Sequence, residues 1–236
     1  QTLDPFPEVS GRGVRMLQDA GIEVVVGVME EEAKALNRFF LKAYTLQRPY
    51  VILKWAQSRD GFIDRIRTDA SDQPVHFSTP SSLRSLHKLR SEVSAIMVGT
   101  HTVLLDNPSL TVRHWVGNSP VRVVLDRSLR IPVSYHLFDG SVRTLVFTEQ
   151  IAKNRKQIEY IGIDFSEPVI PQVLHALFER KLNSLLVEGG ATLHRSFFDS
   201  GLFDEIRVET APIILSDGVK APDVELIRSC TTGCIH

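Results

Sequence analysis

The chain has 236 residues, of which 43% are hydrophobic, 23% charged and 8% aromatic, and its formal net charge at pH 7 is −1. These values are typical of a globular protein with a buried core, and the length suits one substantial domain plus a fragment rather than two full domains. The near-zero charge indicates no general attraction to nucleic acid or to an anionic membrane, and no apolar run reaches the roughly 18–20 residues of a membrane helix. We therefore predict no nucleic-acid partner and no membrane partner.

The termini and cysteines bear on the cellular compartment. The chain begins with Gln1 and no signal-peptide pattern follows, so we expect that residues upstream are missing from this sequence. The two cysteines, Cys230 and Cys234, fit free thiols in a reducing cytoplasm better than a disulfide framework. We therefore predict a cytoplasmic protein, with a metal site or a bridge at these cysteines as the alternative.

The first part of the chain predicts a helix, a strand and a second helix. Ser10 or Gly11 begins the first helix, and Gly21 ends it. The apolar run Ile22–Val28 predicts a buried strand. Apolar residues at helical spacing predict a helix over Glu30–Ala43, with three glutamates in the first turn, where the helix dipole favours negative charge. Nothing here pairs with the strand, so we interpret this segment as the end of a larger unit.

After Pro49 the chain alternates between strand and helix patterns. The predicted strands are Tyr50–Ala56, Ala95–Gly99, Val121–Asp126, Thr144–Phe147, Ser184–Val187 and Glu205–Ala211, and the predicted helices are Ser81–Ser91, Pro171–Glu179 and Leu193–Ser200. This alternation predicts an α/β fold with a mostly parallel central sheet and helices on both faces. In such sheets ligands bind beyond the carboxyl ends of the strands.

The strongest local signal is the turn Glu188-Gly189-Gly190, which joins a buried strand to a helix. Glycines let a backbone come close to a ligand, and the free N–H groups at a helix start attract phosphate. Glu188 stands at the carboxyl end of its strand, where active sites form. The alternative interpretation is a tight turn with a carboxylate cap.

A second signal is the segment Asp106–Arg113, which contains an Asn-Pro step. This composition predicts a turn, and a long segment placed after a strand is where substrate contacts concentrate. Arg113 suits a phosphate through a bidentate pair, and the alternative is an ordinary surface arginine.

The third signal is Lys54, a cation inside an apolar strand. Burying it is costly unless it is paired, so in a central strand it needs a carboxylate or a ligand, and Glu188 is the candidate partner. In an edge strand the lysine could instead reach solvent.

Metal and nucleophile chemistry are not indicated by the motifs. The eight histidines show no HxH, HExxH or Cys/His ligand spacing, and no Gly-x-Ser-x-Gly elbow or Walker A loop occurs. We interpret His76, His101 and His114 as polar loop residues and predict no metal site.

The three signals occur together, and in this order, in one family. The shared motifs are Leu53-Lys54, Ser58-x-Asp60-Gly61, Ser78-x-Pro80, Arg90, Thr102-Val103-x-x-Asp106-Asn107-Pro108-x-Leu110-Thr111-x-Arg113 and Glu188-Gly189-Gly190. They resemble the 5-amino-6-(5-phosphoribosylamino)uracil reductases of riboflavin biosynthesis, and the resemblance covers roughly residues 47 to 215, with Asp106–Arg113 as its most specific part.

The N-terminal segment also resembles a known domain. Its motifs are Asp4-Pro5-x-Pro7-x-Val9-x-Gly11-Arg12-Gly13, Ala20-Gly21-Ile22 and Glu32-Ala33-x-x-Leu36-Asn37, which are similar to the tail of the zinc deaminase domain that often precedes this reductase. The resemblance implies that residues 1–46 are a C-terminal remnant of a cytidine-deaminase-like domain, without its zinc ligands, and that residues 47–236 are the reductase domain.

The resemblance implies a dihydrofolate reductase-like fold and reduction of a ribosyl group to a ribityl chain by NADPH, with no zinc in this fragment. It implies cofactor contacts from Ala56, Thr102, Asp106 and the segment Gly190, Ala191, Thr192, Leu193, His194, Arg195 and Ser196, with Arg127 and Ser128 as candidates for the 2′-phosphate. It implies substrate contacts from Arg90, Leu110, Arg113 and Glu188, where the two arginines suit the 5′-phosphate of a small phosphorylated pyrimidine. Lys54 and Glu188 are the candidates for polarising or protonating the sugar, and a homodimer is expected.

The chain departs from the family pattern in one loop. Pro74 and His76 stand where family members often have a serine and a tryptophan, so a stacking surface for the ligands is lost there. Two alternative functions stay open: another reductase of this fold acting on a pteridine, and a non-catalytic module that binds a nucleotide or a sugar phosphate.

Overall fold

The computed structural model describes residues 11–223 and 234–235, which form two compact units. The first unit contains the described residues up to Tyr50 together with Leu174–Asn183, and the second contains Val51–Val173 and the described residues from Ser184 onward. Within these ranges, every helix is too short or too polar to cross a membrane.

The first unit contains three short helices, α1 (Arg12–Asp19), α2 (Glu30–Leu36) and α3 (Arg38–Leu46). Helix α1 confirms the prediction. The single helix predicted over Glu30–Ala43 is wrong, because the helix breaks at Asn37. The side-chain amide of Asn37 donates to a backbone carbonyl one turn earlier at 2.9 Å, and such local bonds compete with helix continuation.

The strand predicted at Ile22–Val28 is also wrong, because this segment has no regular secondary structure. Its side chains are not buried: Val25 is 69% exposed and Val28 is 58% exposed. A strand needs a neighbouring strand for its backbone hydrogen bonds, and residues 11–49 contain no other strand. An apolar run alone therefore does not produce a strand here.

The second unit contains most of the regular structure. Its strands are β1 (Tyr50–Gln57, which begins in the first unit), β2 (Phe62–Asp64), β3 (Ala95–Gly99), β4 (Val121–Leu125), β5 (Thr144–Thr148), β6 (Ile158–Gly162), β7 (Ser184–Gly189), β8 (Glu205–Thr210), β9 (Val219–Lys220) and β10 (Cys234–Ile235). Its helices are α4 (Pro80–Glu92), α5 (Thr100–Asp106) and α7 (Ala191–Ser200), with a 3-10 turn at His136–Phe138, while α6 (Val169–Glu179) belongs partly to each unit. The six strands and three helices predicted after Pro49 are confirmed, with small shifts at their ends.

Within the described ranges, eight strands form one sheet in the order β10-β8-β1-β7-β3-β4-β5-β6. Strands β7, β3, β4, β5 and β6 run parallel to their neighbours in this series, and β1, β8 and β10 run parallel to one another. Strands β2 and β9 form a separate antiparallel pair. The side chains of β3 and of the first half of β1 are nearly all fully buried, as expected for strands covered on both faces. The α/β class with a mostly parallel sheet is confirmed.

Besides the short strands β2, β9 and β10 and the 3-10 turn, two longer elements of this unit escaped the sequence patterns. Helix α5 has only seven residues, so His101, interpreted above as a loop residue, lies in a helix. Strand β6 is at the edge of the sheet and is half-exposed, so it lacks the apolar run of the central strands.

Candidate active site

A cavity of about 860 Å³ lies at the carboxyl ends of β1, β3 and β7, within the second unit. Its volume is in the upper part of the range of small-molecule sites. Eleven of the residues predicted for the site line it: Lys54, Ala56, Thr102, Asp106, Glu188, Gly190, Ala191, Thr192, Leu193, His194 and Ser196. The turn into α7, the strand lysine and the strand-end glutamate therefore share one cavity.

Six predicted residues do not line this cavity: Arg90, Leu110, Arg113, Arg127, Ser128 and Arg195. Arg195 is exposed and lies 3.9 Å from Asp199, one turn along α7. Arg127 is exposed and donates to Glu149 at 2.7 Å. Arg90 reaches the cavity indirectly, through its contact with Glu188.

Glu188 is placed by an irregularity in β7. Met97 pairs with Val187 and Val98 pairs with Gly189, so Glu188 is an extra residue in the strand. Such a bulge changes the direction in which a side chain points. Both carboxylate oxygens accept hydrogen bonds from Arg90, Oε1 from Nε at 2.7 Å and Oε2 from Nη2 at 2.6 Å. This pair is largely buried, with side-chain exposures of 10% for Arg90 and 9% for Glu188.

The predicted pairing of Lys54 with Glu188 is wrong. Lys54 does meet a carboxylate, but it is that of Glu209 on β8, at 3.6 Å from Nζ to Oε2. The cause is the sheet order, because β8 is the neighbour of β1 and Glu209 stands in register with Ala56, on the same face as Lys54. Glu188 already has Arg90 as its partner.

The Gly189-Gly190 turn brings helix α5 close to helix α7. Gly190 has a φ of +83°, and a Cβ on it would lie 3.2 Å from Thr102 Oγ1. A Cβ on Gly189 would lie 3.2 Å from Thr102 Cγ2. Gly190 caps α7 without a side-chain hydrogen bond, so the first N–H groups of the helix are available at the cavity wall. This arrangement fits a phosphate-bearing cofactor.

One wall of the cavity is a segment from Ile63 to Ser78, of which the sequence singled out Pro74, His76 and Ser78 but not Arg67. Arg67 organises it: its Nη2 donates to Asp106 at 2.5 Å and its Nε donates to Asp64 at 2.7 Å. Asp106, predicted to contact the cofactor, is therefore also the anchor of this wall. A lone arginine in a polar stretch gives no periodic or motif signal. His76 lines the same wall, and His101 lines the α5 side.

The predicted substrate segment after α5 is fixed by buried arginines. Arg122 is fully buried, donates from Nε to the carbonyl of Ser109 at 2.9 Å, and pairs with Asp139 at 2.8 Å. Arg90 donates to the carbonyl of Thr111 at 3.1 Å. Leu110, between these two carbonyls, is buried and holds a φ of +51°. The sequence patterns did not single out Arg122.

Two buried histidines near the site, His87 and His194, are kept neutral. Burial lowers the pKa of His194 to about 4, and its Nε2 lies 3.2 Å from the carbonyl oxygen of Val187. Burial, followed by the nearby positive charge of Arg90, lowers the pKa of His87 to about 4. His87 Nδ1 accepts a hydrogen bond from the backbone N–H of Arg113 at 2.9 Å, which requires the unprotonated nitrogen. His114 packs edge-on against His87, outside the cavity.

The described ranges contain no cluster of side chains suited to bind a metal ion. There, no three side chains from His, Cys, Asp and Glu converge as ligands would.

Comparisons with known proteins identify the family of this chain. The model of the RibD C-terminal domain family matches residues 49–232. The riboflavin biosynthesis protein RibD of Aquifex aeolicus is 37% identical over 228 residues, which cover 94% of this chain and 63% of that protein. The chain therefore spans about three-fifths of the length of such relatives.

Solved structures show the same similarity. The diaminohydroxyphosphoribosylaminopyrimidine deaminase/5-amino-6-(5-phosphoribosylamino)uracil reductase of Thermotoga maritima superposes with a TM-score of 0.82 at 36% identity, covering 95% of this chain and 63% of that one. Acinetobacter baumannii RibD superposes with a TM-score of 0.79 at 30% identity, covering 93% and 62%.

Proposed function

Because the chain belongs to the RibD C-terminal domain family, we propose that it catalyses the NADPH-dependent reduction of 5-amino-6-(5-phosphoribosylamino)uracil to the corresponding ribityl compound in riboflavin biosynthesis. The observation that carries this proposal is the single cavity that combines Lys54, Glu188 and the uncapped start of α7. It offers an acid, a charged hydrogen-bonding group and a phosphate-binding element to one small molecule and one cofactor.

The cofactor is proposed to lie along the α7 side of the cavity. NADPH, when bound, supplies the hydride. The N–H groups at the start of α7 would hold its pyrophosphate, and Thr102 would fix its position from the α5 side. Arg127 and Ser128, exposed just after β4, are our candidates for the 2′-phosphate, and Arg127 would have to leave Glu149 to bind it.

The reacting sugar is proposed to lie between Lys54 and Glu188. The Lys54 ammonium can donate a hydrogen bond, or a proton, to the ring oxygen as the sugar opens to the imine. Hydride would then add to the anomeric carbon while the imine nitrogen takes up a proton. Glu188 can accept hydrogen bonds from the sugar hydroxyls, and Arg90 holds its carboxylate in place. Arg113 suits the 5′-phosphate, and Leu110, three residues earlier, is our candidate for a further substrate contact. Arg90 directs its donors to Glu188 and Thr111, so its contribution to substrate binding passes through Glu188.

Residues 1–46 are proposed to be the C-terminal part of a deaminase-like domain. Two observations support this: the Thermotoga relative is a deaminase/reductase of which this chain covers 63%, and the described part of the first unit exposes apolar side chains such as Val25 and Leu36.

Elemental analysis of the purified chain should find no stoichiometric zinc, and a deaminase assay should show no turnover. One tightly held zinc ion per chain would contradict this. The cytoplasmic location and the homodimer stay predictions.

The reductase proposal is tested by following NADPH oxidation with two substrates. The phosphoribosylamino-pyrimidine should be reduced, and dihydrofolate should not. Turnover of dihydrofolate alone would identify another reductase of this fold, and binding of NADPH without turnover of either substrate would indicate a non-catalytic module.

A further inference from the structure

Glu209 connects two walls of the cavity without lining it. It lies on β8, and its Oε2 is 3.6 Å from the Lys54 ammonium on β1. The same oxygen accepts a hydrogen bond from Ser78 Oγ at 2.8 Å, just before α4 begins. Lys54 and Ser78 both line the cavity, whereas Glu209 does not. One carboxylate oxygen outside the cavity lining thus contacts two side chains that line it, those of Lys54 and Ser78.

The register of β1 and β8 makes Glu209 the carboxylate that pairs with Lys54. The residue directly opposite Lys54 on β8 is Arg207, a second cation, and it pairs with Glu205 at 2.5 Å. Burial alone would raise the pKa of the Glu209 carboxyl. Hydroxyl groups of Ser82 and Ser78 and the charge of Lys54 outweigh this effect and hold that pKa below its usual value. Glu209 is therefore a carboxylate at neutral pH.

We propose that Glu209 is a positioning residue, whose carboxylate holds the Lys54 ammonium against the reacting sugar and ties the Ser78 wall to the same point. This inference rests on the proposed function, which gives Lys54 its role in the reaction. The Lys54 and Glu209 side chains are 14% and 22% exposed, and Lys54 lines the cavity, so solvent in the cavity can stabilise the ammonium when the carboxylate charge is removed. The geometry of Lys54, rather than the stability of the fold, is what Glu209 controls.

The test uses Glu209→Gln, which keeps an acceptor for Ser78 and removes the charge. The matched control is Glu159→Gln on β6, whose carboxylate pairs with Arg143 at 2.7 Å and is 26% exposed. We expect Glu209→Gln to lower kcat about ten- to a hundredfold with little change in KM, because small displacements of a reacting group act mainly on the chemical step. The control should leave kcat unchanged, and both variants should melt within a few degrees of the wild type.

A second measurement does not depend on activity. Acetylation of Lys54 by an amine-reactive reagent, followed by peptide mass spectrometry, should be about fivefold faster in Glu209→Gln than in Glu159→Gln, because the ammonium has lost its partner. Equal acetylation rates in the two variants would overturn the inference, as would an unchanged kcat. If Glu209→Gln does not fold, Glu209→Asp, which keeps the charge but shortens the side chain, is measured in the same way. A wild type without reductase activity would refute the proposed function, while the acetylation rates would still test the ion pair.

Discussion

Removing Arg90 should destabilise the protein far more than removing an arginine from an exposed pair. Arg90→Met leaves the Glu188 carboxylate nearly buried without the two hydrogen bonds at 2.6 and 2.7 Å that now neutralise it. Breaking a buried pair in this way costs about 3–5 kcal/mol. For a domain of this size, the melting temperature should fall by roughly 6–20 °C. The matched control is Arg143→Met, whose pair with Glu159 has side-chain exposures of 44% and 26% and should cost about 0–1 kcal/mol.

Thermal unfolding followed by circular dichroism measures both variants, and a double variant isolates the pair. Replacing both partners, as in Arg90→Met with Glu188→Leu, removes the stranded charge, so the double variant should be more stable than Arg90→Met alone. If Arg90→Met costs no more than Arg143→Met, the carboxylate is not held by Arg90 and the description of this site is incorrect. If Arg90→Met instead keeps its stability but binds the substrate phosphate more weakly, Arg90 contacts the substrate directly.

Three further predictions concern pH, backbone strain and cofactor choice. The pKa of His194 is about 4 in the folded protein, below its ordinary 6.5. The free energy of unfolding should therefore carry no penalty from His194 above pH 6.5 and should decrease as the pH drops from 6.5 towards 4. The melting temperature of His194→Gln should decrease less over this range. Gly190→Ala should raise the KM for NADPH and lower the melting temperature, whereas Gly140→Ala, with a similar φ of +74° but open space around it, should change the melting temperature alone. Arg127→Ala should narrow the preference for NADPH over NADH about tenfold, the low end for an arginine–phosphate pair, because Arg127 must first leave Glu149; an unchanged ratio of kcat/KM values would remove it from the site.

The central strands could be predicted because burial on both faces leaves a continuous apolar run in the sequence. Strands β1, β3 and β7 carry such runs, and their predicted positions match the structure. Ile22–Val28 carries the same pattern and forms no strand, since pairing requires a neighbour that a local pattern cannot supply. Helix α5 was missed because seven residues are too few to establish a helical period.

The positions of site residues could be predicted, but their partners could not. Lys54 and Glu188 stand out because a charge within or at the end of an apolar strand is unusual. Which carboxylate meets Lys54 depends on the β1–β8 register, and the direction of Glu188 depends on a bulge opposite β3. Both features arise from contacts between segments far apart in sequence. Arg67 shows the same limit, because its partner Asp106 is 39 residues away.

Transfer of a labelled hydride tests the proposed function most directly. The purified chain is incubated with the phosphoribosylamino-pyrimidine and NADPH that carries deuterium at the transferable position of its nicotinamide, and the product is analysed by mass spectrometry. The proposal predicts a ribityl product that carries a single deuterium, located on the carbon that was anomeric in the substrate. A product without deuterium, or unchanged substrate beside an enzyme that binds NADPH, would contradict it.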